Sequence, residues 1–500
     1  MAGFVCDAIS VTFRNLTIEK ATVKANNDGN GNAYAGVFTG RSYGTMIFNN
    51  CQAVNSTVEG VNKVGGIIGF VAENHIEATN CKVLGCTIKN INIEEESGQI
   101  GGFAGYLGNL YKSNCSFTNC SVENSTIQAY MNREDRTISK FIGCFQGTQA
   151  EDIVTINNCS VQNVKIEGMN EMAQSFISIY GDLLGGQRYG KGTVNITNSD
   201  TAIYIASREQ LATLATLVNN GNNFAKKTVK LANDIDLGNK EWTPIGKKDK
   251  TFQGTFDGYG YTISNLTITK EINNNASNAN QGLFGYTTNA EVRNFTLHNA
   301  SVQGGLEVGA VAGTPYTSKY SDITLTGIVK VKGYSYVGGM FGKNAYASSN
   351  NLTIRAEKGS FVEAQSGEYR TYVGGVIGFM GEGNFTISNV ESNIDVIGST
   401  CDVGGITGIA HYGNTFENCV CTGNVTLQHA NDEGDHLEIG GIAGVWMNDN
   451  RGKVTFRNCR FNGTLKSSLK GVDKSEDVVE NRITGRKYYP TSTNGELIIE

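Results

Sequence analysis

The sequence has three prolines in 500 residues, two tryptophans and five histidines. So little proline excludes proline-rich linkers and a collagen-type repeat, although glycine is abundant at 63 residues. The histidines, His75, His298, His411, His429 and His436, are scattered. None begins the HExxH pattern that a zinc peptidase needs. No apolar run reaches transmembrane length. A formal net charge of −6, with no Lys/Arg stripe, gives no reason to expect nucleic acid. The opening stretch MAGFVCDAISVTFRNL has no basic segment followed by an apolar one, so it is not a secretory signal. It reads as the middle of a repeat, which predicts a block incomplete at its N-terminus.

What is present is a repeat. A six-residue pattern (apolar, any, Asn, apolar or Cys, any, apolar) occurs as FRNLTI at 13–18, FTNCSV at 117–122, FENCVC at 416–421 and about ten further places. Between Asn15, Asn50, Asn80, Asn119, Asn158 and Asn198 the steps are 35, 30, 39, 39 and 40 residues. From Asn265 through Asn294, Asp322, Asn351, Asn389 and Asn418 to Asn458 they are 29, 28, 29, 38, 29 and 40. Apolar residues at positions one, four and six cannot share one face of a straight strand, because side chains alternate. They can if the chain turns at Asn, which tolerates left-handed backbone. Asn50, Asn80, Asn119, Asn158, Asn265, Asn294, Asn418 and Asn458 are therefore expected to be structural corners. Stacked copies would bury a core that no single repeat could bury. The fold class expected is an all-β, right-handed parallel β-helix (solenoid).

The pattern places Cys51, Cys81, Cys120, Cys159, Cys419 and Cys459 at position four and Cys421 at position six. These read as structural core, small buried thiols in an inward stack. No CxxC pair or nearby His makes them a metal site, and disulfides between stacked pairs stay open. A second motif, VGGIIG at 64–69, VGGMFG at 337–342, VGGVIG at 373–378 and others like them, is expected to form another strand wall with close backbone approach.

Residues 201–260 interrupt the repeat. SREQLATLATLVNNG at 207–221 predicts a helix with a Ser207/Gln210 capping box, an apolar face of Leu211, Leu214, Ala215 and Val218, and Gly221 as stop. The chain is thus expected to divide into an N-terminally incomplete β-helix block at 1–200, a helix-containing cap at 201–260, a second block at 261–465 and a C-terminal cap or linker at 466–500.

The segments NDIDL, WTPIG and FQGTFDGYGYTISNLTI, followed by QGLFGYTTNAEVRNFTL, resemble bacterial surface proteins carrying the GLUG motif; Gly282-Leu283-Phe284-Gly285 is the clearest instance. The resemblance implies an adhesin-like parallel β-helix, secreted or on the cell surface, often of gut bacteria. It is related to repeat regions found beside immunoglobulin-A metallopeptidases.

Extra residues between the two motifs are where a solenoid would carry function. Tyr130, Arg133, Tyr369 and Arg370 in two such loops are candidates for sugar binding. Asp432, Glu433, Asp435 and His436 form an acidic cluster that could bind a divalent cation, the one cofactor expectation; a solvated loop is the plainer reading. No carboxylate pair recurs across neighbouring repeats. The expected function is binding or adhesion to a host or bacterial surface glycan or glycoprotein, through many weak contacts. A carbohydrate-active β-helix enzyme, a polysaccharide lyase or hydrolase working from the long-loop edge, is the alternative. A passive stalk is the third.

Overall fold

The computed structural model describes the chain apart from residues 1, 27–32, 92–97, 109–113, 132, 134–135, 366–370, 400, 430–437, 448–451, 470–471, 474–482 and 486–495. It divides into two compact units, Met1–Tyr204 and Ile205–Glu500. Each is a parallel β-solenoid. In the first unit, Thr39–Asn49, Ile68–Thr79, Asn114–Thr118, Ile153–Asn157 and Thr193–Thr197 stack in one wall. Gln52–Val54, Lys82–Leu84, Ser121–Glu123 and Ser160–Gln162 stack in the next. Among the described residues the strands of this unit pair in parallel, with a register shift between Val71 and Asn74, and set Phe48 beside Ala78, Ala78 beside Phe117 and Phe117 beside Ile156. Like residues therefore meet like, and Phe103, Phe117 and Phe141 pack with ring centroids 5.0–5.8 Å apart.

The corner asparagines adopt left-handed backbone, with φ between 50° and 64° at Asn50, Asn80, Asn119, Asn158, Asn265, Asn294, Asn418 and Asn458. Their side chains also link the rungs. Asn158 Nδ2 donates to Asn119 Oδ1 at 2.8 Å, and Asn119 Nδ2 to Asn80 Oδ1 at 3.1 Å. In the second unit, Asn458 donates to Asn418 at 2.7 Å and Asn418 to Asn389 at 3.0 Å. Asn supplies both the left-handed turn and an amide that is donor and acceptor at once. A further left-handed corner follows five residues later, at Asn55, Gly85, Asn124 and Asn163.

The VGGxxG motif differs from the single strand expected. It is two short strands meeting at a bend, such as Ser335–Gly338 and Phe341–Asn344. The bend brings backbones so close that a Cβ on Gly339 would lie 2.1 Å from the carbonyl oxygen of Gly375. Beyond the expected helix there is also a one-turn helix, Glu171–Ser175, whose N-cap Asn170 accepts from the backbone N–H of Ala173.

In the second unit, the helix Arg208–Asn219 is capped by Ser207, whose hydroxyl accepts from Gln210 N, and it buries Leu211, Leu214, Ala215 and Val218. At its end, Asn219 Nδ2 donates to Pro244 O at 3.0 Å and Oδ1 accepts from Gly246 N at 3.0 Å. The helix thereby fixes the segment 243–249. Downstream, Glu496–Ile499 pairs in parallel with Lys453–Arg457, so the stacking continues past residue 466. Among the described residues no helix is long and apolar enough to cross a membrane.

Candidate functional site

The cysteines lie in the solenoid walls. Cys51, Cys81, Cys120, Cys159, Cys419 and Cys421 are buried and Cys459 is half-buried, all as free thiols. Each thiol that follows a corner donates back across it, Cys81 Sγ to Thr79 O at 3.3 Å and Cys120 Sγ to Thr118 O at 3.4 Å. The sulfur also accepts from the neighbouring rung, as when Cys51 N–H donates to Cys81 Sγ at 3.4 Å. Ser56 and Ser125 play the same part at the second corner, donating to Val54 O and Glu123 O at 2.8 and 2.7 Å. The residue after a corner is thus a small buried group able both to donate and to accept. Burial pushes the Cys115 and Cys421 thiols up to about 12. Among the described residues no three metal-ligating side chains converge.

Of the loop candidates, Tyr130 is half-buried, its backbone N–H donating to Asn90 Oδ1 at 2.6 Å, and Arg133 is exposed. Tyr369, Arg370, Asp432, Glu433, Asp435 and His436 lie outside the described residues.

A different set of residues forms a concave site, a groove of about 820 Å³ on the second unit. Its walls come from the helix-anchored segment 243–249, the turn around 276–281 and successive rungs at Phe284–Thr288, Leu306–Gly309, Ala312–Tyr316, Phe341–Asn344 and Ile377–Met380. In the strand after the last glycine of the motif, alternation points the first side chain outward. This gives a row in which Tyr286 pairs with Thr314, and Lys343 with Phe379. Just beyond the row stand Tyr316 and Tyr346, 36% and 37% exposed. Ring centroids lie 6.2 Å apart for Tyr286–Tyr316 and 5.5 Å for Tyr316–Tyr346. Tyr336, Tyr372 and Phe379 form an apolar cluster outside the main core, with Lys343 Nζ 5.3 Å from the Phe379 centroid.

Polar and charged groups stand among these rings. Gln281 is 5% exposed, donates from Nε2 to Ala279 O at 2.7 Å, and leaves its buried Oε1 without a partner among the described residues. Glu307 sits on left-handed backbone at φ 53°, a conformation costly for a residue with a long side chain. Burial raises its carboxyl above the ordinary range, and Lys343 and Lys248 pull it partly back. Glu382 accepts from the hydroxyl of Tyr412, and Asp249 lines the outer turn. Aromatic faces beside hydrogen-bonding groups suit a ligand with apolar faces and a hydroxylated rim, as sugars have.

No family model matches the chain. It is similar to halomucin of Haloquadratum walsbyi, 36% identical over 163 residues, covering 28% of this chain and 2% of halomucin. The chain therefore spans a small fraction of that relative's length. Among solved structures it is similar to a Bacteroides ovatus protein provisionally assigned as an immunoglobulin A1 protease. The TM-score is 0.38 at 19% identity, over 60% of this chain and 74% of that one.

Proposed function

We propose that this chain is a secreted or cell-surface β-solenoid that binds glycans through the groove of its second unit. The observation that carries the reading is the aromatic groove itself, with Tyr286, Tyr316 and Tyr346 on successive rungs and the amide oxygen of Gln281 unpartnered among the described residues. The resemblance to GLUG-motif surface proteins supports an extracellular setting, as does the local likeness to halomucin. The test is binding of the full chain to an array of bacterial, plant and mucin glycans and host matrix proteins. A selective hit weakened at least about tenfold in a Tyr316→Ala/Tyr346→Ala double variant is expected, since each ring contributes on the order of 1 kcal/mol. Silence across the array would sink the reading and leave a stalk.

A second reading, a carbohydrate-active enzyme, is favoured by three carboxyl groups lining the same groove, Asp249, Glu307 and Glu382, with Glu307 raised as a general acid requires. It predicts release of new reducing ends from a bound polysaccharide, abolished by Glu307→Gln.

A further inference from the structure

The tyrosines of the groove follow the rungs. Tyr286, Tyr316 and Tyr346 line it from three successive rungs, and Phe385, beside it, continues the row on a fourth, with centroids 6.2, 5.5 and 6.0 Å apart. Those intervals are close to the rise of the solenoid itself, about 4.8 Å per rung, and comparable to the length of one sugar ring. A single sugar would reach one or two of these rings and leave the rest uncovered. A line of rings along the stacking direction instead matches a ligand that repeats in that direction. The groove is also balanced in charge, with Lys247, Lys248 and Lys343 against Asp249, Glu307 and Glu382. A polymer of either sign would meet as much repulsion as attraction.

Resting on the glycan reading above, we propose that the groove takes a linear, uncharged polysaccharide laid along the stack of rungs, at least three consecutive sugars each meeting a ring from a different rung. Gln281 and Glu307 line the same groove. There the buried amide oxygen of Gln281 has no partner among the described residues. The Glu307 carboxyl, on its left-handed backbone, feels the charges of Lys343 and Lys248. Both are acceptors that hydroxyl groups of a sugar would satisfy.

The test is calorimetric titration of the full chain with xylo-, cello-, manno- and N-acetylated chito-oligosaccharides of one to six units. In at least one series affinity is expected to climb about threefold to tenfold per added sugar up to three or four units and then level off. Tyr316→Ala and Tyr346→Ala should each remove about that factor for the tetramer and leave the monomer unchanged. Tyr189→Ala, at an exposed ring in the first unit, should change neither. A monosaccharide that binds as tightly as its tetramer overturns the linear ligand while the glycan reading stands. Polygalacturonate or chitosan binding ahead of every neutral series overturns the uncharged class. Silence from all four series overturns the proposal, and the glycan array then decides separately whether the broader reading survives. An extended peptide that binds where no sugar does, with loss in Tyr316→Ala, overturns both.

Discussion

The backbone N–H of Cys51 donates to the sulfur of Cys81 on the next rung, 3.4 Å away. Cys86 N–H meets Ser125 Oγ in the same way at 3.0 Å, so sulfur and hydroxyl are interchangeable parts of one device. The device satisfies an N–H beside a left-handed corner, where the regular ladder is interrupted.

It follows that Cys81→Ser should be tolerated within about 1 kcal/mol, because the hydroxyl keeps both hydrogen bonds. Cys81→Ala should cost about 2–3 kcal/mol, orphaning the Cys51 N–H and opening a small void. Urea unfolding of the two variants checks the order, and Ala equal to Ser would show that the sulfur serves only as filling.

The corner asparagines invite a similar comparison. Asn119→Ala places an ordinary residue at φ 56° and breaks links to Asn80 and Asn158. A loss of about 2–3 kcal/mol is expected. Asn119→Gly keeps the backbone conformation and should lose about 1 kcal/mol. Thermal melts of the two variants measure the difference.

Gly375 tests the bend of the glycine motif. A Cβ there would sit 2.1 Å from the carbonyl oxygen of Gly405, a backbone atom with no room to retreat. Gly375→Ala is expected to cost about 3 kcal/mol or more. Gly359→Ala meets no atom within 4 Å and carries only the strain of φ 96°, about 1–2 kcal/mol. Equal losses in urea unfolding would rule out backbone crowding as the reason for the motif.

Thiol chemistry should follow burial. At pH 8 iodoacetamide is expected to label exposed Cys6 and spare Cys115 and Cys421 until denaturant is added, as peptide mass spectrometry would show. Below about pH 8.5 these thiols are protonated in both states and contribute no pH dependence. Above it the unfolded chain loses protons that the folded chain keeps until about pH 12. Stability should therefore fall as pH rises through that window.

Glu307 has the same sign at lower pH. Its raised carboxyl holds a proton in the folded state after the unfolded chain has released it, from about pH 4.3 upward. Stability falls as pH rises from there through the folded value. Glu307→Gln should raise the melting temperature at pH 7 and change little at pH 4.

Much of this architecture can be read from the residues. Asn at the corner, the apolar positions around it and the Ser207/Gln210 cap each leave a local chemical mark. The second corner is harder to see, because Asn55, Gly85, Asn124 and Asn163 do not share one residue type. The groove is harder still. Its row of Tyr286, Thr314, Lys343 and Phe379 occupies the position after the last glycine of the motif, filled differently in each copy, and Tyr316 and Tyr346 lie just beyond it. Comparing copies for what they share discards that position, although its variation shapes the groove wall. Long polar loops draw attention to Tyr130 and Arg133 instead, and neither lines the groove.

The asparagine ladder has a consequence for how such a protein can change. Asn389 and Asn418 are 29 residues apart and Asn418 and Asn458 are 40, yet both pairs close the same hydrogen bond, at 3.0 and 2.7 Å. Eleven additional residues leave the contact intact, so position on this protein is counted in storeys and not in amino acids. A lineage can lengthen one balcony, or remodel it for a new guest, while every floor above and below keeps its address.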